Sequence, residues 1–128
     1  MKIDPTQPQP IYQQIVKQLK DDVLSARLRP GDRVLPVREF AVHYRINPNT
    51  VNRAYKILQA EGFLESRPGG GNFIAGLTPE KRAAVRRERF SAEIAGLLRR
   101  ALDCGLTPEE FLELVRRQLP PAETEKPS

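Results

Sequence analysis

The sequence predicts a mainly α chain with one small β-hairpin, and three observations predict it. Apolar residues recur at helical spacing through most of the 128 positions. Three segments open on a side-chain cap followed by proline, the pattern of a helix start: Asn47-Pro48, Thr78-Pro79 and Thr107-Pro108. The period changes once, after Gly62, where two short runs of alternating character flank Arg67-Pro68-Gly69-Gly70-Gly71.

Residues 1–10 are rich in Pro and Gln and read as extended chain. Pro10 opens a first helix, expected over about Ile11 to Leu28. Ile11, Ile15, Leu19 and Val23 form its buried stripe, with Val16 and Leu24 beside it. Arg29-Pro30-Gly31-Asp32 is a turn. A second, short helix starts at Pro36 and runs to about His43–Tyr44, with Val37, Phe40 and Ala41 facing inward. Arg45-Ile46-Asn47 is a tight link, and Ile46 is its apolar plug.

The next helix, Pro48 to Glu61, carries two different faces. Asn47 suits the N-cap and Gly62 the left-handed position past the end. Val51, Ala54, Tyr55 and Leu58 form one apolar stripe. Asn49, Asn52, Arg53 and Lys56 repeat that spacing two residues out of phase. At about 100° per residue the two stripes point in roughly opposite directions. One face anchors in a core, while the other carries the amide and cationic groups that read base edges and phosphates. Two helices joined by so short a link form a helix-turn-helix. Phe63–Ser66 and Asn72–Ala75 then read as the two strands of a hairpin, or wing, whose glycines tolerate positive φ.

Thr78-Pro79-Glu80 starts a helix reaching about Asp103 and ending at Gly105. Its first half is dense in charge, and its second half is apolar on one side. Thr107-Pro108-Glu109-Glu110 starts the last helix, which ends near Leu119. Residues 120–128 read as a frayed polar tail. The expected organisation is a DNA-binding domain over 1–77, a two-helix unit over 78–119 and the tail.

The net charge is +5, and residues 1–78 hold eleven Lys/Arg against seven Asp/Glu, while the remainder holds ten against nine. A basic bias on the part bearing the two-faced helix suits a polyanionic partner. The single cysteine, Cys104, excludes an intrachain disulfide and is expected to be a small packing residue. No apolar run reaches membrane-span length and no signal-peptide core is present, so the expected location is the cytoplasm, without a membrane partner. Metal-ligand pairs, phosphate loops and nucleophile motifs are absent from the sequence. No enzyme, metal site or cofactor is expected.

The motifs Pro30-Gly31-Asp32, Val37-Arg38-Glu39-Phe40-Ala41, Ile46 to Tyr55, Leu58-x-x-Glu61-Gly62 and the hairpin ending Asn72-Phe73-Ile74 cover more than half of the chain. Together they resemble the GntR family of bacterial transcription regulators, in its short YtrA-type branch. The resemblance implies a winged helix-turn-helix that binds an inverted-repeat operator as a homodimer, with the C-terminal helices as the dimer unit. It implies a repressor of its own operon, often one with an ABC transporter. It places DNA contacts on Arg38, on Asn47, Asn49, Thr50, Asn52 and Arg53, and on the wing tip from Arg67 through Gly69 and Gly70. There is one departure. Where the family reads Leu-Pro-Ser, this chain has Val34-Leu35-Pro36, so the serine that would cap the second helix and meet a phosphate is missing. The helix itself is expected to survive.

Each candidate has a plainer reading. Asn47 serves chiefly as a cap. Thr50 divides evenly between covering the helix start and touching DNA, and Lys56 between a solubilising charge and a phosphate contact. Asn49 and Asn52 lack such an excuse, because asparagine is a poor interior helix former, and bidentate contact to adenine is one compensating gain. Arg53 has a solubilising charge as its plainer reading, and with Asn49 and Asn52 it is the better candidate for reading bases. Arg67 with its glycines is either an ordinary hairpin or a cationic tip for the minor groove. In the C-terminal helices, Phe90, Ile94, Leu97, Leu98, Leu102, Phe111, Leu112, Leu114, Val115 and Leu119 are too many for two helices to cover alone. A partner subunit is the economical burial. A protein-interaction module on the same scaffold is the competing function. The two helices are too small to enclose a ligand pocket, which leaves regulation either to a small effector at the dimer junction or to abundance alone.

Overall fold

The computed structural model describes residues 1–121; residues 122–128, most of the expected tail, lie outside the described residues. The described chain runs α1 (Ile11–Leu24), α2 (Val37–Tyr44), α3 (Pro48–Ala60), β1 (Leu64–Ser66), β2 (Asn72–Ile74), α4 (Pro79–Asp103) and α5 (Pro108–Gln118). It divides into two compact units, one over Met1–Ala83 and one beginning at Ala84. The mainly helical architecture with a single hairpin is the one the sequence predicts.

The first unit is built on α3. Val51, Ala54 and Leu58 are fully buried and Tyr55 is 1% exposed, so the predicted stripe is the anchor. Ile15, Leu19 and Val23 of α1, Phe40 and Ala41 of α2, and Phe63, Leu64 and Ile74 around the wing complete this core. Tyr55 also holds the start of α2. Its hydroxyl donates to the Leu35 carbonyl at 2.6 Å, and its ring meets Phe40 edge-on with centroids 5.9 Å apart.

Two helix boundaries differ from expectation. α1 stops at Leu24, four residues before the expected Leu28. Ser25 caps it, Ala26 turns to a φ of 64°, and the Arg82 guanidinium donates to the carbonyls of Val23 and Leu24 at 2.9 and 3.1 Å. A cation from 58 residues further on thus satisfies the helix end, which local pattern does not foretell. Pro36 occupies the cap position of α2 rather than its first turn, with no side-chain cap bond. The absent serine is therefore not replaced. The link into α3 closes with Arg45 left-handed at φ 55° and the Ile46 amide bonded to the Ala41 carbonyl at 2.9 Å.

The N-terminal segment is more tightly held than its composition suggests. Gln14, only 4% exposed, accepts from the Asp4 amide and donates to the carbonyls of Asp4 and Gln9. Gln18, one turn later, pairs with both backbone groups of Lys2.

The wing pairs Leu64 with Ile74, Glu65 with Phe73 and Ser66 with Asn72, antiparallel. The segment after the 29–32 turn lies along β2 as a third rung. Gly31 donates to the Ile74 carbonyl, Ile74 to that of Asp32 and Val34 to that of Asn72, at 2.8 to 3.0 Å. Val34 is buried by this pairing.

Gly62 ends α3 at a φ of +82°, as its position predicts. A Cβ there would adopt a left-handed backbone and lie 2.5 Å from the Lys81 ammonium. Gly62→Ala is expected to lower stability by about 1–2 kcal/mol, most of it backbone strain because Lys81 can swing aside. Thermal unfolding checks this, and an unchanged midpoint would show that the turn adapts without cost.

The second unit carries α5 and most of α4. Thr107 and Glu110 form a reciprocal capping box at 3.0 and 3.1 Å, and Thr78 caps α4 by accepting from the Lys81 amide at 3.1 Å. Among the described residues α4 buries none of its side chains and α5 buries only Phe111. Cys104 is exposed, so the expectation that it packs is corrected. No helix among the described residues is long and apolar enough to cross a membrane.

Candidate nucleic-acid interface

The face of α3 opposite its anchor stands clear of the core. Asn49, Asn52, Arg53 and Lys56 are all exposed, while Thr50 is half-buried. Asn47 is a cap in fact as well as in pattern: its Oδ1 accepts from the Asn49 amide at 2.8 Å. Asn49, Asn52, Lys56 and, on α2, the exposed Arg38 have side chains that make no hydrogen bond or ion pair among the described residues. These four are held in place by the backbone and left chemically uncommitted.

The two remaining arginines are committed. The Arg53 guanidinium lies 3.8 Å from the centroid of the Tyr12 ring on α1. Arg67 lies 4.2 Å from the Phe73 centroid and pairs with Glu65 at 3.1 Å. Such stacking covers one face of the guanidinium and leaves its edge for donation, which in Arg67 goes in part to Glu65. Sequence reading missed both platforms, since Tyr12 and Arg53 are brought together only by the packing of α1 on α3.

The wing is fixed relative to α3 by side chains. Gln59 donates to Asn72 Oδ1 and to Ser66 Oγ, the latter at 3.1 Å, tying the last turns of the helix to the strand pair next to the hairpin turn. Gln59 falls seven residues after Asn52, on the same side of α3, and that spacing was the available signal. At the tip, Gly69 and Gly70 adopt φ of +90° and +108° with open space around both, so the backbone there can approach a surface closely. Gly71 instead backs onto the Arg33 side chain, 2.8 Å from where its Cβ would stand.

The expected C-terminal residues are largely uncovered. Phe90, Ile94, Leu97, Leu102, Leu112, Leu114, Val115 and Leu119 are between 41% and 63% exposed. Leu98 is half-buried, and Phe111, at 8%, is already buried within the chain, so it offers a partner little free surface. No cluster of potential metal ligands occurs among the described residues.

A buried helix, a short second helix with a tight turn, an outward-facing third helix and a tethered hairpin define a winged helix-turn-helix, a class of DNA-binding fold. The family model described as "Bacterial regulatory proteins, gntR family" matches residues 11–74. The chain belongs to the GntR family of transcriptional regulators. It is 36% identical over 110 residues to the HTH-type transcriptional regulator YhcF of Bacillus subtilis, covering 84% of this chain and 88% of that one. It is 44% identical over 75 residues to the HTH-type transcriptional repressor YtrA of the same organism, covering 59% of this chain and 58% of YtrA. The solved structure of a transcriptional regulator from Oenococcus oeni superposes with a TM-score of 0.69 at 32% identity, over 91% of this chain and 97% of that one. These relatives are regulators rather than enzymes.

Proposed function

We propose that this chain is a sequence-specific DNA-binding regulator that acts in the cytoplasm as a homodimer and represses its own operon. One observation carries the reading: Asn49, Asn52 and Lys56 stand exposed and uncommitted on one face of a helix whose opposite face is sealed into the core. The first turns of α3 enter the major groove, where Asn49 and Asn52 read base edges and Thr50 stands beside them. Arg38, Lys56 and the tip Arg67–Gly70 meet the backbone on either side, and Asn47 holds the helix start that faces the DNA. Residues 1–77 form the reading unit and 78–119 the pairing unit.

The bare apolar stripe of α4 and α5 supports the dimer, because its burial against a second copy removes exposed apolar surface that a monomer would leave in water. Two-fold symmetry then predicts an inverted-repeat operator. The repressor reading is supported by YtrA, a repressor to which this chain is 44% identical over 75 residues. A small effector, if one acts, sits at the dimer junction.

Asn52→Ala tests the reader assignment. It is expected to relax discrimination at one base pair of each half-site by about 1–3 kcal/mol while leaving the salt dependence intact. Binding to a panel of duplexes with single base-pair changes measures this, and unchanged discrimination would remove Asn52 from the reader set. DNA binding that shows no sequence preference and is unchanged when Arg38, Arg53 and Arg67 are all replaced would favour a protein-interaction module instead.

A further inference from the structure

We propose that Tyr12 is a positioning residue that fixes Arg53 as a phosphate clamp on the α1 side of the interface, and so removes Arg53 from the base readers. The inference rests on the DNA-binding reading above and divides its labour further.

Arg53 belongs by spacing to the same stripe as Asn49, and a helical wheel alone would give it the same task. The stack on Tyr12 separates them. With about 100° per residue, Asn52 lies on the flank of α3 that also bears Gln59, the tether to the wing, whereas Arg53 leans to the other flank. There the Tyr12 ring receives its guanidinium at 3.8 Å. Tyr12 is half-buried and its own hydroxyl accepts from Gln13 Nε2 at 3.1 Å. It sits in the second position of α1, a helix anchored through the buried Ile15 and Leu19. The platform is therefore carried on a helix fixed in the core.

A base-reading arginine must extend from its helix into the groove and present its fork to one base edge. An arginine laid against a ring on the neighbouring helix presents its free edge along the flank instead, where the sugar-phosphate backbone runs past a helix seated in the groove. Holding it there before binding also lessens the entropy lost when the side chain is immobilised on a phosphate. Tyr12 thus makes Arg53 a sequence-independent contact at a fixed distance from the readers Asn49 and Asn52. That fixed contact sets the register of α3 in the groove.

The test uses the whole protein and two fluorescent duplexes, one selected by the wild-type protein from random DNA and one scrambled. Tyr12→Leu is expected to weaken both by the same factor, about 2- to 5-fold. Tyr12→Phe, which keeps the ring, should bind as wild type does. Arg53→Ala should lower the slope of log affinity against log salt by about one and leave the single base-pair preferences unchanged. Tyr12→Leu should add nothing further to Arg53→Ala, since the two act through one contact. In the free protein, the Arg53 Nε–H resonance should show a ring-current shift that Tyr12→Leu abolishes, which checks the stack without DNA and in a folded chain. The proposal is overturned if Arg53→Ala changes preference at a base pair, if the two substitutions add, or if the ring-current shift is missing. If the wild-type protein itself fails to distinguish the two duplexes, the DNA-reading function fails instead, and the ring-current measurement still decides whether the stack exists.

Discussion

Replacing Ile94 and Leu112 together by glutamate is expected to convert the proposed dimer to monomer and weaken operator binding by about 100-fold or more. Both side chains are exposed in the single chain, at 58% and 61%, so neither supports its own subunit's core. Two buried carboxylates per subunit would each need to be desolvated without a partner, which opposes association strongly. Once the subunits separate, each half-site is bound independently. The second contact then loses the effective concentration that linkage to the first one supplies, a factor of about 10²–10⁴. Light scattering measures the mass and fluorescence anisotropy the affinity. Circular dichroism should be unchanged. A dimer that survives both substitutions would place the pairing surface elsewhere.

Tyr55→Ala is expected to cost about 3–5 kcal/mol and to unfold the winged unit at moderate temperature. Tyr55 packs at the centre of this unit, and its hydroxyl is the hydrogen-bond partner of the Leu35 carbonyl, two residues before α2 begins. Tyr55→Phe keeps the ring and removes that bond, for about 1 kcal/mol. The pair of variants therefore separates packing from tethering. Burial is the main force pushing the Tyr55 phenol well above its ordinary range, and the neighbouring Tyr44 adds to it. A raised folded value means that the neutral phenol is the favoured form. Its stabilisation is complete below the unfolded value, about 10, and is lost as the pH climbs from there towards the folded value. Urea unfolding above about pH 10 should show wild type losing stability faster than Tyr55→Phe. Parallel losses in the two proteins would mean that the phenol is not protected.

How much of this was legible beforehand follows a physical rule. Wherever the determinant lies within a few residues, the sequence states it: the Asn47 cap, the Thr107–Glu110 box, Gly62 past the end of α3, and the stripe of Val51, Ala54, Tyr55 and Leu58. Wherever the determinant is a contact across the fold, local pattern is silent. Arg82 ends α1 from the start of α4, and the strand-like pairing of residues 31–34 with β2 buries Val34. Tyr12 captures Arg53 in the same way. The candidate site divides along the same line. Which residues face outward was readable from periodicity. Which of those are already engaged, as Arg53 and Arg67 are, and which remain uncommitted, as Arg38, Asn52 and Lys56 do, depends on neighbours that folding supplies.

Whether the exposed face of α3 reads DNA sequence is decided by the affinity of the whole protein for an inverted-repeat duplex selected from random DNA, against a scrambled duplex of equal length, across a salt titration. The expected result is a ratio of about 10³ or more in favour of the selected duplex, with affinity for both falling steeply as salt rises. Equal affinity for the two duplexes, or binding indifferent to salt, would contradict it.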